Sequence, residues 1–211
     1  MIEQHVRRYY QTIFVDAVAA FLVHRIKPNT MTWIAGLWGI LVIPALLFNQ
    51  VSLTIAVLLI SGYCDTLDGT LARMSQHTTR WGTVLDITMD RVVEFSVVLA
   101  LYLVAPLHHG LWCFLMLGSM LLCVTSFLVV GIFMENDTDK SFHYSPGIME
   151  RPEAFAFFIA MMLWPSAFVY LAVTFTLLVT ATALIRLYQF YTQAQYNILS
   201  PLGEKVSQSD G

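Results

Sequence analysis

Charged residues are absent from three long stretches of this chain, and this pattern constrains the fold more than any other feature. No Asp, Glu, Lys or Arg occurs within residues 28–64, 95–134 or 154–185. These stretches are 37, 40 and 32 residues long. Because one membrane-spanning helix needs about 20 apolar residues, each stretch has about the length of two crossings joined by a turn. The sequence therefore predicts three helical hairpins, and so six spans.

The composition agrees with a membrane protein. Of the 211 residues, 57% are hydrophobic and only 12% are charged, whereas soluble domains carry about 25% charged residues. The chain has no basic run and no soluble basic face, which argues against nucleic-acid binding. The three cysteines fall in predicted spans without metal-site spacing, so we expect buried, inert thiols.

We predict an all-α integral membrane protein with six transmembrane helices and an N-terminal interfacial helix. Apolar residues recur at helical spacing over residues 3–24, which is typical of an amphipathic helix lying in the membrane interface. A helix that packs against a partner is the alternative. Turns are expected at residues 48–50, 105–110 and 164–166. The expected spans form one bundle (31–192) in a single domain (1–211) with a polar tail (193–211): 31–48, 51–73, 82–104, 110–134, 148–164 and 166–192.

The basic residues predict the orientation of the chain. All eleven Lys and Arg lie outside the charge-free stretches. The three predicted tight turns contain none of them. The positive-inside rule therefore places both termini and the two longer connections in the cytoplasm, and indicates a multi-pass protein of the inner (cytoplasmic) membrane.

The segment most informative about chemistry joins the second predicted span to the third. It covers residues 65–90 and reads DTLDGTLARMSQHTTRWGTVLDITMD. Asp65 and Asp68 are three residues apart and share one face of a helix, as do Asp86 and Asp90, which are four apart. Because the connection between the two helices is short, we expect the helices to be neighbours and their acidic faces to converge.

Four carboxylates at one point require protonation or a metal. At a separation of about 4 Å and an effective dielectric constant near 20, each pair of charges costs about 4 kcal/mol. Hard carboxylate oxygens suit Mg²⁺ or Mn²⁺. We therefore expect a divalent-metal site at the membrane boundary, with four candidate ligands: Asp65, Asp68, Asp86 and Asp90.

Small and basic residues accompany the aspartates. Gly69 and Gly82 lack side chains, so a ligand or a backbone can approach closely, and Ala72 keeps the same face shallow. Arg73 and Arg80 can bind phosphate oxygens, and the alternative for both is a membrane-anchoring role. Carboxylates, divalent metal, glycines and arginines together indicate a site for a pyrophosphate-linked nucleotide.

The segment resembles the signature of the CDP-alcohol phosphotransferase family, D-x2-D-G-x2-A-R-x8-G-x3-D-x3-D. The Pro28–Asn29 pair at the start of the first span is similar too. The resemblance implies six spans after an interfacial helix, and a homodimer. All eight fixed positions of the signature match: Asp65, Asp68, Gly69, Ala72, Arg73, Gly82, Asp86 and Asp90.

The resemblance also implies a mechanism. The first three aspartates would be ligands of a two-metal centre containing Mg²⁺ or Mn²⁺. Asp90, at its edge, would be the general base that takes the proton from an acceptor hydroxyl. The resulting oxygen attacks the phosphorus next to the alcohol group of a CDP-alcohol, and CMP leaves. The nucleotide would bind at Gly69, Ala72, Arg73 and Gly82.

The acceptor would bind on the same side of the membrane. Candidate groups for a phosphate or carboxylate on the acceptor are Arg80, Lys140 and Arg151. A membrane-anchoring role is the alternative for Arg151, and Glu150 and Glu153 could neutralise it. We expect Glu94 to pair with Arg91 rather than to tune the metal site.

Three functions are compatible with these features. In the favoured one, CDP-diacylglycerol donates a phosphatidyl group to a small polar alcohol such as glycerol phosphate, inositol phosphate or serine. In the second, a soluble CDP-amino-alcohol donates to diacylglycerol. The third is a divalent-cation transporter, which would need acids near the membrane midplane rather than at one boundary.

Overall fold

The computed structural model describes residues 11–76, 78–133 and 148–199, and every regular element within these ranges is helical. This confirms the all-α class. A π-helical segment, Gln11–Asp16, continues into the first α-helix, and a 3₁₀ turn, Pro165–Ala167, precedes the last. The α-helices are α1 (Ala17–Leu22), α2 (Pro28–Ile40), α3 (Val42–Leu47), α4 (Val51–Met74), α5 (Arg80–Val104), α6 (Pro106–Phe133), α7 (Arg151–Leu163) and α8 (Phe168–Leu199).

Four helical stretches in the described ranges are long and apolar enough to cross a membrane. They are Pro28–Leu47, Val51–Met74, Pro106–Phe133 and Pro165–Thr192. The six predicted spans are therefore not confirmed. Helix α7 has 13 residues and a rise of about 20 Å, less than the roughly 30 Å of a hydrocarbon core. Helix α5 has 25 residues but carries five charged ones: Arg80, Asp86, Asp90, Arg91 and Glu94.

The turns lie close to their predicted positions. The first and third are confirmed by the breaks between α3 and α4 and between α7 and α8. The second is shorter than predicted, because α5 ends at Val104 and α6 begins at Pro106. A helix can begin at proline since its first residues need no intrahelical N–H donor. The helix of the fourth predicted span therefore begins four residues before residue 110.

The first span is interrupted at Leu41, between α2 and α3. Pro44 explains the break, because it has no N–H to donate to the carbonyl of Ile40 and its ring crowds that carbonyl. The span therefore consists of a long first helix and a short second one.

The described part of the N-terminal helix packs on the protein with one face. Val15 and Ala19 are fully buried, whereas Phe14 and Phe21 are 61% and 62% exposed. The hydroxyl of Tyr63 on α4 donates to the carbonyl of Phe14 at 2.7 Å. The helix thus has an internal packing role, and residues 3–10 of the predicted interfacial helix lie outside the described ranges. The buried pair belongs to a cluster with residues of α2 and α4: Met31, Ala35, Cys64, Leu67 and Leu71.

The chain divides into two compact units near His108. In the first unit, α2 packs against both α4 and α5, whereas α4 and α5 have few close backbone approaches to each other. In the second unit, α7 packs against α8. There the N–H of Met149 donates to the hydroxyl of Thr182 at 3.0 Å. The two acidic helices are thus connected mainly through α2, and α3 also packs against both.

Helix α2 contacts its two neighbours in different ways. Toward α4, the hydroxyl of Ser61 donates a buried hydrogen bond to the carbonyl of Ala35 at 2.8 Å. Toward α5, a Cβ atom placed on Gly36 would lie 2.7 Å from the Sδ atom of Met89. A Cβ atom on Gly39 would overlap the side chain of Val93. Gly39 therefore permits a close approach of α2 to α5 that a larger residue would prevent, whereas at Gly36 the flexible end of Met89 could move aside.

The Ser61 hydrogen bond should contribute measurably to stability. Ser61→Ala is expected to lower the free energy of unfolding by about 1 kcal/mol, because it removes a buried bond between two helices. Ser96→Ala is the matched control, since Ser96 is also buried but donates within its own helix to Val92 at 2.7 Å. Equilibrium unfolding in detergent measures both changes. Equal losses in the two variants would contradict this assignment.

Candidate active site

Three of the four predicted metal ligands converge. One carboxylate oxygen from each of Asp65, Asp68 and Asp86 can be chosen so that the three oxygens lie within 4.8 Å of one another. The first two aspartates belong to α4 and the third belongs to α5. The predicted convergence of the acidic faces is therefore observed, although the backbones of the two helices stay apart.

The surroundings of Asp68 fit a bound cation. Asp68 is only 5% exposed, and its Oδ2 atom is buried with no hydrogen-bond partner among the described residues. The hydroxyl of Thr32 lies within hydrogen-bonding reach of the same carboxyl group. A buried carboxylate is costly unless it is paired or coordinates a metal. The three-carboxylate donor set suits Mg²⁺ or Mn²⁺.

Asp90 lies one helical turn beyond Asp86 on α5, about 6 Å further along the axis. Asp90 is not a member of the group of three converging oxygens. Its Oδ1 atom is buried. The roles predicted for Asp90, at the edge of the metal centre and as a base, remain predictions.

An open cleft with a volume of about 200 Å³ lies beside the carboxylates. Asp68 and Asp86 line it, together with residues of α2, α4 and the first turns of α5. All four positions predicted to bind the nucleotide belong to the lining: Gly69, Ala72, Arg73 and Gly82. Two of the four predicted metal ligands and all four predicted nucleotide-binding positions therefore line one cleft.

The cleft lining also contains six residues that the sequence analysis did not assign to the site. The Pro28–Asn29 pair was a usable signal, since it was the one feature outside the acidic segment that resembled the family. The threonines had no such signal, because hydroxyl residues near helix ends also serve as caps. The additional lining residues are Pro28, Asn29, Thr32, Thr78, Thr79 and Thr83.

The two glycines of the cleft have different surroundings. A Cβ atom on Gly69 would have one neighbouring side-chain atom within 4 Å, Nη1 of Arg73 at 3.5 Å. A Cβ atom on Gly82 would lie 3.1 Å from Oγ1 of Thr79 and 3.2 Å from Oδ1 of Asn29. The missing side chain therefore leaves free space at Gly69, whereas at Gly82 it permits close packing of α5 near the start of α2.

The N-terminus of α5 adds an anion-binding feature to the cleft. The hydroxyl of Thr79 caps the helix and accepts a hydrogen bond from the N–H of Gly82 at 3.0 Å. Other N–H groups of the first turn have no partner within the helix, and the helix dipole makes this end favourable for negative charge. The cleft thus combines acidic side chains that suit a cation with a helix end that suits a phosphate.

The predicted basic residues differ in their relation to the cleft. Arg73 lines it, and its Nη2 atom donates to the hydroxyl of Thr70 at 3.0 Å. Arg80 is exposed in the first turn of α5 and is not among the lining residues. Lys140 lies outside the described ranges. Of these three, Arg73 alone is placed by the structure in the cleft.

Local contacts confirm one predicted pairing of an acidic residue and show a capping role for two others. Glu94 forms an ion pair with Arg91 at 2.6 Å, which confirms the predicted pairing. Glu150 and Glu153 form a capping box at the start of α7, where the N–H of Glu150 donates to Oε2 of Glu153 at 3.1 Å. The guanidinium group of Arg151 lies 5.7 Å from the centre of the Phe155 ring. The two glutamates therefore stabilise the helix start.

Comparison with known sequences decides the family. The sequence profile described as CDP-alcohol phosphatidyltransferase matches residues 25–198. The chain belongs to this family. The resemblance seen in the acidic segment is thereby confirmed, and it extends over most of the chain.

Relatives within the CDP-alcohol phosphatidyltransferase family differ in length. The inner membrane protein YnjF of Escherichia coli is 26% identical over 199 residues, covering 90% of this chain and 96% of that protein. The phosphatidylinositol phosphate synthase of Corynebacterium glutamicum is 28% identical over 157 residues, covering 72% and 70%. The bifunctional IPC transferase and DIPP synthase of Thermococcus kodakarensis is 34% identical over 122 residues, which are 57% of this chain but only 26% of that protein.

Solved structures share the fold of this CDP-alcohol phosphatidyltransferase family member. The phosphatidylinositol phosphate synthase of Mycobacterium tuberculosis with CDP-DAG bound superposes with a TM-score of 0.71 at 19% identity, covering 85% of this chain and 94% of that one. A second structure of the same enzyme, in complex with manganese and citrate, gives a TM-score of 0.70 at 18% identity, covering 85% and 90%.

The acidic cluster should make the metal-free protein less stable and the metal-bound protein more stable. Asp68→Asn is expected to raise the unfolding temperature without metal, because it removes a buried charge near two others. The same change should abolish the stabilisation by Mn²⁺, which for the wild type is about 2.7 kcal/mol at 100 times the dissociation constant. Thermal unfolding in detergent, with EDTA or Mn²⁺, measures both effects.

Asp16→Asn is the control for that measurement, since Asp16 is an aspartate that does not belong to the converging group. It should keep the full response to Mn²⁺. A wild-type response in Asp68→Asn would show that this carboxylate does not bind the metal.

Proposed function

We propose that the protein transfers a phosphatidyl group from CDP-diacylglycerol to the hydroxyl of a small polar alcohol and releases CMP. The observation that carries this proposal is the convergence of Asp65, Asp68 and Asp86 beside a cleft lined by the small residues of the family signature. Family membership supports the reaction class. The Mycobacterium tuberculosis relative, whose structures contain CDP-DAG or manganese, supports the donor and the type of metal.

The residues of the cleft have complementary tasks in this reaction. Asp65, Asp68 and Asp86 would hold Mg²⁺ or Mn²⁺, in a centre of two ions, which supplies positive charge beside the pyrophosphate of the donor. Gly69 leaves room for the nucleotide to lie against α4. Arg73 and the N-terminus of α5 bind phosphate oxygens through N–H groups.

Asp90 would act as the general base. Its carboxylate takes the proton from the acceptor hydroxyl while the hydroxyl oxygen forms a bond to the phosphorus next to the diacylglycerol group. The bond between that phosphorus and the CMP oxygen breaks, and CMP leaves with the electron pair. Because a carboxylate is a weak base, Asp90 can do this only for a hydroxyl whose acidity is raised by its position in the site.

The acceptor is a small alcohol with an anionic or polar group. Glycerol phosphate, inositol phosphate and serine are candidates, and relatives from three species are named phosphatidylinositol phosphate synthases. Arg80, Lys140 and Arg151 are the proposed binding groups for the acceptor anion, because guanidinium and ammonium groups pair with phosphate or carboxylate. A CDP-amino-alcohol donor with diacylglycerol as acceptor is the alternative.

We further propose that the active site and both termini face the cytoplasm in a multi-pass inner-membrane homodimer. The segregation of Lys and Arg away from the apolar stretches supports this orientation. The four apolar helices and the relationship to an Escherichia coli inner membrane protein support the location.

A CMP-release assay tests the reaction. Purified protein with CDP-diacylglycerol and Mg²⁺ or Mn²⁺ should release CMP only when the correct alcohol is added, which also identifies the acceptor. Asp90→Asn should lower turnover by about 10²–10⁴-fold, the usual contribution of a general base, whereas Asp16→Asn should not. Full turnover in Asp90→Asn would refute the base assignment. CMP release from a CDP-amino-alcohol, with diacylglycerol as acceptor, would favour the alternative.

The open surroundings of Gly69 predict a selective effect on donor binding. Gly69→Ala should raise the KM for CDP-diacylglycerol by about tenfold, because the methyl group occupies space needed by the nucleotide. It should not lower the unfolding temperature, since alanine favours helices over glycine by about 1 kcal/mol. The matched control is Gly118→Ala on α6, where a Cβ atom has no neighbour within 4 Å. An unchanged KM in Gly69→Ala would place the nucleotide elsewhere.

A further inference from the structure

We propose that Thr70 is a positioning residue for the donor site, because its hydroxyl holds the guanidinium group of Arg73 over Gly69, where a phosphate of the donor would bind. This inference rests on the phosphate-binding role proposed for Arg73. Thr70 occupies a variable position of the family signature, between the fixed Gly69 and Ala72, so the signature itself assigns it no role.

The hydroxyl of Thr70 has a fixed direction. Thr70 is only 3% exposed, and its hydroxyl donates to the carbonyl of Thr66, one turn earlier on α4, at 3.0 Å. A hydroxyl carries one proton, so once that proton is donated the oxygen can only accept further hydrogen bonds. The Nη2 atom of Arg73 donates to this oxygen at 3.0 Å. The oxygen is therefore an uncharged acceptor that the helix backbone orients toward the arginine.

This hydrogen bond determines where the charge of Arg73 lies. Thr70 precedes Arg73 by three residues, so the bond folds the long side chain back along α4 toward the acidic turn. The Nη1 atom lies 3.5 Å from the position of a Cβ atom on Gly69, which directly follows Asp68. An arginine that only anchors the helix end would instead extend toward the lipid headgroups. The folded-back side chain places its charge in the cleft, which Gly69 and Arg73 both line.

The same hydrogen bond keeps the cation apart from the acidic cluster. Asp68 and Asp86 line the cleft together with Arg73, and a guanidinium group pairs readily with carboxylates. Among the residues that the structure describes, however, no carboxylate lies within ion-pair distance of Arg73. Because Thr70 is uncharged, it holds the guanidinium group without neutralising it. The carboxylates are thus left for the metal, and the other N–H groups of Arg73 are left for the phosphate.

Holding the side chain in advance should strengthen donor binding. An arginine side chain loses much rotamer freedom when a ligand orders it, and a contact formed before binding removes part of that cost. A hydrogen bond to a charged group contributes about a factor of ten to an equilibrium constant. Loss of the Thr70 hydroxyl should therefore weaken the binding of a pyrophosphate ligand by about tenfold.

The decisive measurement is the binding of CDP, which carries the cytidine and the pyrophosphate of the donor. Isothermal titration calorimetry measures it on purified protein in detergent with Mg²⁺. Thr70→Val, which replaces the hydroxyl by a methyl group of similar size, should raise the dissociation constant by about tenfold. Thr70→Ser, which keeps the hydroxyl, should bind CDP like the wild type.

Thr54→Val is the matched control for this measurement. Thr54 is also buried in α4, and its hydroxyl likewise donates to the carbonyl one turn earlier, that of Gln50, at 2.9 Å. It lies near the opposite end of the helix from Arg73. Thr54→Val should therefore leave CDP binding unchanged.

A double-mutant cycle separates positioning from a direct contact or a merely structural role. If Thr70 acts through Arg73, Thr70→Val should cause no further loss of CDP binding in an Arg73→Ala background. An equal loss in both backgrounds would overturn the proposal, as would wild-type affinity in Thr70→Val or a Thr70→Ser variant as weak as Thr70→Val. If Thr70→Val does not fold, Thr70→Ala takes its place in the same comparison, since alanine is the best helix former.

Failure of the proposed function has a different signature. A protein that binds CDP with the predicted coupling between Thr70 and Arg73, but releases no CMP from any CDP-alcohol, would refute the reaction and keep the positioning role. A protein that releases CMP, with a KM for CDP-diacylglycerol unaffected by Thr70→Val, would refute the positioning role and keep the reaction.

Discussion

Electrostatic repulsion between carboxylates is the constraint on which this structure depends. Asp65, Asp68 and Asp86 bring oxygens within 4.8 Å of one another, and each such pair costs several kcal/mol at the dielectric constants found in proteins. Two helices that carry these charges repel each other at this point unless a cation binds between the carboxylates or other contacts hold the helices in place. The packing of both helices on α2 supplies the second condition, and a divalent metal would supply the first.

The apolar surroundings make this arrangement demanding. Near the acidic turn of α4, hydroxyl groups donate to carbonyls of the same helix, as Thr66 does to Gly62 and Thr70 does to Thr66, each at 3.0 Å. Because these hydroxyl groups donate to carbonyls of their own helix, they do not donate to the carboxylates of the neighbouring aspartates. The buried oxygen of Asp68 is left for a ligand, which is the expected property of a functional carboxylate within an apolar helix.

Small residues contribute to the site in two physically different ways. At Gly69 the missing side chain leaves space in the cleft, and at Gly82 and Gly39 it lets one helix lie against another. The sequence pattern does not distinguish these roles, because a glycine in a helix looks the same whether a ligand or a neighbouring side chain lies beside it. The distinction determines the expected result of substitution, which is weaker substrate binding at Gly69 and a shifted helix at Gly39.

Local regularities determined the all-α class, two of the three turns and the shared faces of the aspartates, because apolar length and the helical period act over a few neighbouring residues. The tertiary structure alone decided that α2 holds both acidic helices, that Asn29 lies beside Gly82, and that α7 has only 13 residues. These features depend on contacts such as Ser61 with Ala35, which are 26 positions apart, and on where a helix ends. Neither is encoded in the period of a single segment, since both follow from how distant surfaces fit together.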